Sequence, residues 1–200
     1  MSCVFIVDDD PSVRKATARV IRAAGFEALT FASAVEYLEQ FDPRAPGCLL
    51  LDLNMPGVNG LELQKALAER GTAPAIVFLS GYADVPKSVV AMKGGAVEFL
   101  TKPVDARTLV DALQAAIEKD RVQREARAGR EEIERRVARL TPREVQVLRG
   151  VVAGKLNKQI AGELGTAEKT VKVHRGRVME KMEVDSVAAL VQATARVEIG

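Results

Sequence analysis

Four apolar runs in the first half of the chain each carry a reactive type of side chain at or just past their C-terminal end, in the order acid, acid, hydroxyl, lysine. That ordering constrains the fold more than any other feature. Val4-Phe5-Ile6-Val7 leads into Asp8, Asp9 and Asp10, the run Cys48 to Leu53 holds Asp52 near its end, Ala75 to Ser80 closes on Ser80, and Ala96 to Leu100 is followed by Lys102. Short continuous apolar runs read as strands buried on both faces, the habit of a parallel sheet covered by helices. The segments between them keep helical spacing. Asp10-Pro11 makes a cap and first turn, then Val13, Ala16, Val20, Ile21 and Ala24 share a face until Gly25 stops the helix. A strand Ala28 to Phe31, a Ser33-capped helix through Phe41, helices from about Gly60 to Glu69 and Val85 to Met92, and a last helix capped by Asp105 and carrying Leu109, Leu113 and Ile117 complete the alternation. Five strands and five helices predict a three-layer α/β domain.

In open parallel sheets chemistry gathers outside the C-terminal ends of the strands, so Asp8, Asp9, Asp52, Ser80 and Lys102 are expected in one pocket. Three crowded acids repel unless a cation sits among them, and hard oxygen donors favour Mg²⁺, which takes few protein ligands and keeps waters for a phosphate. Lys102 supplies a second positive charge to a developing phosphoryl oxygen, and Asp52 suits a carboxylate nucleophile. Each residue alone has a plainer reading: Asp9 and Asp10 as helix caps, Ser80 as a loop cap, Lys102 before Pro103 as a turn residue. For Asp10 capping is the expected role. Taken jointly, the four strand ends favour the pocket.

Residues 120–140 hold charges of both signs, one glycine, Gly129, and no proline. Ile133, Val137 and Leu140 keep i, i+4, i+7 spacing, which favours a helix with a narrow apolar stripe over a disordered linker. Beyond Leu140 nothing reads as a strand. Thr141-Pro142-Arg143-Glu144 has the capping-box spacing with proline at the first helical position, and Val145, Leu148, Val151 and Val152 follow on one face. Helices from about Asn157 to Leu164, Ala167 to Met182 and Ser186 to Arg196, separated by Gly165 and Val184-Asp185, complete an all-α four-helix domain. The expected organisation is a domain at 1–119, a helical linker at 120–140 and a second domain at 141–200. Net charge along these segments is −3, +2 and +3, so a polyanionic partner is expected at the C-terminal third.

Within Ala167 to Met182, at about 100° per residue, Val171, Val178 and Met182 share a buried direction. Lys169, Val173 and Gly176, flanked by Lys172 and Arg177, face away from it. A solvated charged face is the plainer reading of these cations; a face that meets a polyanion is the other. Gly176 fits either a close approach of that partner or a tolerated defect, and His174 is expected to pack. No apolar run approaches the roughly 20 residues of a membrane span, and Met1 leads directly into a strand-like run, so a cytoplasmic chain without a membrane partner is expected. Cys3 and Cys48 make no spaced metal pattern and read as packing thiols.

The segments VFIVDDD, LLLDLNMPGVNG, IVFLSG and EFLTKP resemble the strand-end motifs of the response-regulator receiver domain, in order and spacing, over residues 3 to about 118. The resemblance implies a flavodoxin-like five-stranded parallel sheet, with Asp52 as phosphoacceptor and Asp8 and Asp9 forming the acidic pocket. It implies Mg²⁺ on Asp9, Asp52 and the backbone carbonyl of Asn54. Ser80 takes the place of the switch hydroxyl, Phe99 that of the switch aromatic without a tyrosine's hydroxyl, and Lys102 that of the pocket lysine, with a cis bond into Pro103.

The run LTPREVQVLRGVVAGKLNKQIAGELGTAEKTVKVHRGRVMEKM resembles the LuxR and NarL type of helix-turn-helix, and the two parts together are similar to FixJ-like regulators. This implies a scaffold helix from Asn157 to Leu164 and a recognition helix from Ala167 to Met182 in the major groove. Lys172 and Val173 are expected at base edges, with Lys169, Thr170 and Arg177 nearer phosphates. The implied partners are a sensor histidine kinase, double-stranded promoter DNA, a second copy of the chain after phosphorylation and, as a further candidate, RNA polymerase. The chain then acts as a phosphoacceptor that assists its own phosphorylation and not as an enzyme. A phosphatase with an aspartyl-phosphate intermediate uses a similar residue set, but needs an acid where Asn54 stands and a cap insertion. A DNA-binding scaffold whose receiver no longer accepts phosphate is the third reading.

Overall fold

The structure is a computed structural model that describes residues 2–71, 74–81, 85–195, 197 and 199. It divides into two compact units, Met1–Arg124 and Glu125–Gly200. In the first, strands β1 (Cys3–Val7), β2 (Glu27–Phe31), β3 (Gly47–Leu51), β4 (Ala75–Ser80) and β5 (Glu98–Thr101) alternate with helices α1 (Pro11–Ala23), α2 (Ala34–Gln40), α3 (Gly60–Glu69) and α4 (Val85–Lys93) and the start of α5 (Ala106–Ala138). The strands lie in the order β2-β1-β3-β4-β5, all neighbouring pairs parallel. This is the predicted flavodoxin-like sheet.

Side-chain alternation along the strands divides the interior into two layers. Val7, Leu49, Leu51, Ile76 and Phe78 pack with Tyr37 of α2, Leu63 and Leu67 of α3 and Ala91 of α4. Val4, Ile6, Cys48, Leu50, Val77 and Leu79 pack with Ala18 and Ile21 of α1 and Leu109, Leu113 and Ala116 of α5. Both cysteines are buried free thiols. Asp10 caps α1 by accepting from the Ser12 and Val13 amides, Ser33 caps α2, and Asp105 accepts from the Thr108 amide. The boundaries differ by more than one residue at two strands. β3 stops at Leu51, before Asp52 and not at Leu53, and β5 begins at Glu98 and not Ala96, although the Val97 amide already donates to Ile76.

A larger difference concerns residues 120–140. They are helical, as their spacing predicts, but not a separate element: α5 runs as one helix from Ala106 to Ala138, and the two units divide within it. Buried Asp120 accepts from the Gly47 amide at 3.0 Å and from Arg124 Nε at 2.8 Å, and Arg124 also donates to the Ala45 carbonyl, so these residues belong to the sheet unit. Gly47 is required there, because a Cβ on it would lie 1.8 Å from the Cys3 carbonyl oxygen. Farther along, Ile133, Val137 and Leu140 pack into the core of the second unit.

That second unit contains the end of α5 with α6 (Pro142–Val152), α7 (Asn157–Glu163), α8 (Glu168–Lys181) and α9 (Val187–Thr194). No strand occurs there among the described residues. Its core is Val147, Leu148, Val151, Ile160, Val171, Val178, Met182 and Leu190. Thr141 and Glu144 make the predicted capping box. The last helix ends at Thr194; Arg196, where the sequence pattern placed its end, lies outside the described residues.

Candidate functional site

At the C-terminal edge of the sheet the ladder continues past the strands. The Asp52 amide donates to the Val7 carbonyl at 2.8 Å and the Lys102 amide to the Ser80 carbonyl at 2.7 Å, which carries both side chains to one place. Lys102 Nζ lies 2.6 Å from Asp8 Oδ2 and 2.7 Å from Asp52 Oδ1. The other oxygens are also held: Asp8 Oδ1 accepts from the Asp10 amide at 2.9 Å and Asp52 Oδ2 from the Asn54 amide at 2.7 Å. Asp8, Asp52 and Ser80 are buried, while Asp9 and Asn54 are exposed. The Lys102–Pro103 bond is cis.

The sequence pattern placed a cation among three acids. Lys102 itself is a cation between two of them. Among the described residues no three His, Cys, Asp or Glu side chains gather into a metal-ligating group. Burial is the largest influence on the Asp8 carboxyl and raises it above 3.8, against the lowering hydrogen bond from Lys102. Burial likewise disfavours the Lys102 charge, but its hydrogen bonds to Asp52 and Asp8 outweigh this and raise the ammonium above 10.5. Two carboxylates drawing on one ammonium leave the pocket short of positive charge. Phe99, half-buried on β5, stacks on Phe78 of β4 with ring centroids 6.0 Å apart.

In the second unit, α7 and α8 are joined through Leu164 and Gly165, the latter at φ +61°, and Arg175 of α8 donates to the Asn157 side chain at 3.1 Å. Val171, Val178 and Met182 are fully buried. Lys169, Thr170, Lys172, Val173, Gly176 and Arg177 are all exposed, and Val173, at 49% exposure, is an apolar side chain set among cations. A Cβ on Gly176 would meet nothing within 4 Å. His174 is half-buried, with Nδ1 enclosed and without a hydrogen-bond partner.

Residues 4–114 match the response regulator receiver domain, and residues 138–194 match the luxR family of bacterial regulatory proteins. The chain is a response regulator. It is 44% identical over 189 residues to Nodulation protein W of Bradyrhizobium diazoefficiens, covering 94% of this chain and 83% of that one. With the transcriptional regulatory protein FixJ of Azorhizobium caulinodans it shares 39% over 189 residues, covering 94% and 90%. Among solved structures, the response regulator StyR is 45% identical with a TM-score of 0.87, covering 98% of this chain and 99% of the other. Full-length FixJ from B. japonicum gives 36% and 0.59, covering 98% and 96%.

Several residues of the response regulator's pocket escaped the sequence reading. Arg14 of α1 donates to the Asp8 carbonyl at 2.6 Å, and Lys87 of α4 places Nζ 3.4 Å from Asn54 Oδ1. Gly60 starts α3 so close to the loop after β3 that a Cβ would lie 2.4 Å from the Asp52 carbonyl oxygen. Arg14, one turn into the helix after the acidic run, had a readable signal. Lys87 had none, because its approach depends on how α4 packs. No helix among the described residues is long and apolar enough to cross a membrane.

Proposed function

We propose that Asp52 accepts a phosphoryl group from a sensor histidine kinase and that the modified receiver raises binding of the second unit to promoter DNA. The observation that carries this reading is Lys102 Nζ within 2.7 Å of both Asp8 and Asp52. An Asp52 oxygen forms its bond to phosphorus as the phosphorus–nitrogen bond to the donor histidine breaks, and Lys102 exchanges a carboxylate for a phosphoryl oxygen. Asp8, Asp9, Asp52 and the Asn54 carbonyl offer only hard oxygen donors around a pocket short of positive charge, a set that fits Mg²⁺. When bound, the ion supplies charge that offsets the attacking carboxylate and the phosphoryl oxygens.

Ser80 then turns toward the phosphoryl group and Phe99 takes the space it leaves, reshaping the face of α4 and β5. Dimerisation through the receiver brings two recognition helices to two half-sites and raises affinity through effective concentration. Lys172 and Val173 touch base edges; Lys169, Thr170 and Arg177 hold phosphates. RNA polymerase is a further candidate partner, and a cytoplasmic site suits both partners. The test is incubation with acetyl phosphate and Mg²⁺ read by intact mass. The expected result is one phosphoryl adduct on the wild type and none on Asp52→Asn; an equal yield on both overturns the assignment. An unmodified wild-type chain that binds DNA supports a receiver that no longer accepts phosphate.

A further inference from the structure

Among the described residues, six left-handed ones sit directly after helices, and five of them are glycines: Gly25, Gly71, Gly95, Gly154 and Gly165 follow α1, α3, α4, α6 and α7 with φ between +61° and +94°. Glycine is the ordinary choice because a Cβ is strained at positive φ. The recognition helix α8 breaks that rule. Glu183 follows it at φ +54°, and among the described residues no other side-chain-bearing residue has positive φ. The turn itself is a complete Schellman motif, with the Glu183 amide donating to Glu180 and the Val184 amide to Met179. Glycine would serve this turn better, so the turn does not explain the glutamate.

The end of α5 explains it. Arg136 Nη2 lies 3.0 Å from Glu183 Oε2 and Arg139 Nη1 lies 3.2 Å from Oε1. Arg136 Nη1 donates to the Met182 carbonyl at 3.0 Å, and its Nε to Glu132 at 2.9 Å, so every guanidinium nitrogen has a partner. In the opposite direction, Lys181 of α8 donates to the Arg139 carbonyl at 3.2 Å. The last turns of α5 and α8 thus satisfy one another's terminal carbonyls, and Glu183 is the anionic centre of the joint. Backbone strain of this kind persists only where surrounding contacts over-determine it, and it collects at sites that must hold one arrangement.

We propose that Arg136 and Glu183 form a positioning clamp through which the end of α5 holds the recognition helix in the orientation that reads DNA. Neither residue touches DNA in this scheme; both act through α8. The inference rests on the DNA-binding reading above. It also gives α5, which contributes Leu113 to the core of one unit and carries Arg136 in the other, a direct hold on the reading element.

The test uses the full chain treated with beryllofluoride and Mg²⁺, a duplex selected by the wild type from a random pool, and a scrambled duplex of the same composition. Glu183→Gly relieves the left-handed strain and removes the clamp. Its thermal midpoint is expected within about 4 °C of wild type, while affinity for the selected duplex falls roughly tenfold and discrimination against the scrambled one narrows. Removing a carboxylate makes the chain more positive and by itself strengthens binding to any duplex, so this loss has the opposite sign from a charge effect. Arg136→Ala is expected to give a similar loss, the double variant no further loss, and Arg136→Lys a partial recovery. Binding of both duplexes by Glu183→Gly at wild-type affinity overturns the clamp, as does a binding loss that merely follows a fallen thermal midpoint. If the wild type selects no duplex, the DNA-binding reading fails and the clamp fails with it.

Discussion

Each unit buries a carboxylate against a lysine, and the two pairs serve different ends. In the receiver, Asp8 and Asp52 share Lys102; in the DNA-binding unit, Glu144, 2% exposed and 2.7 Å from Lys181, pairs one carboxylate with one ammonium and also accepts from the Thr141 amide. The balance of charge decides the difference. Burial is the largest influence on both carboxyls, yet the hydrogen bonds from Lys181 and Thr141 overcome it and hold Glu144 below 4.5, whereas Asp8 is raised despite Lys102. A balanced pair is a structural joint. An unbalanced one is left with a demand for further positive charge.

The largest expected effect breaks the unbalanced pair. Lys102→Ala leaves two buried carboxylates without their cation and should cost the receiver roughly 3 kcal/mol at neutral pH. In Lys102→Ala the Asp8 carboxyl loses the hydrogen bond and charge that lower it, so burial raises it further than in the wild type, and the variant loses more stability than the wild type as pH rises through that folded value. The defect should therefore shrink on acidification. Urea denaturation at pH 8 and pH 5 (about 3 units apart on the scale of such titrations) checks this; an undiminished defect at the lower pH contradicts the charge account.

The balanced pair should respond with the opposite sign. Glu144 is held low, so its contribution is present above 4.5 and is lost as pH falls through its lowered folded value. Glu144→Gln should cost about 2 kcal/mol near neutrality, from the weakened cap and the unpaired Lys181, and converge with wild type in acid. Far-ultraviolet melting across that range reads the convergence.

Two smaller effects concern the exposed face of α8. Lys172→Ala and Val173→Ala should each reduce discrimination between selected and random duplex by roughly 1 to 3 kcal/mol. Lys169→Ala should weaken all duplexes alike and reduce the salt slope by about one unit. Equal losses for all three on both duplexes would remove that division of labour. Smallest of all, Gly176→Ala should stabilise α8 by up to about 1 kcal/mol, since the added Cβ meets nothing within 4 Å. Weakened DNA binding by the same variant would identify Gly176 as a point of close approach; unchanged binding would make it a tolerated defect.

Much of this molecule was legible in the chain alone, because local rules and global fold agree there. Unbroken apolar runs marked the parallel strands, and Asp10, Ser33, Asp105 and the Thr141–Glu144 box marked helix starts with the hydrogen bonds observed. Strand-end chemistry placed Asp8, Asp52 and Lys102 together because a parallel sheet leaves no other destination for its C-terminal edge. Spacing also separated the buried and exposed sides of α8. What no local pattern held was decided by packing between segments remote in sequence. Asp120 belongs to the receiver only because the start of β3 presents the Gly47 amide to it, and Lys87 reaches Asn54 only through the placement of α4. Glu183 reads as an ordinary charged residue after a helix; its left-handed backbone and its two arginines appear only once α5 and α8 end side by side. Short-range periodicity fixes which face of an element is buried, but the partner a charged side chain finds depends on distances the fold alone sets.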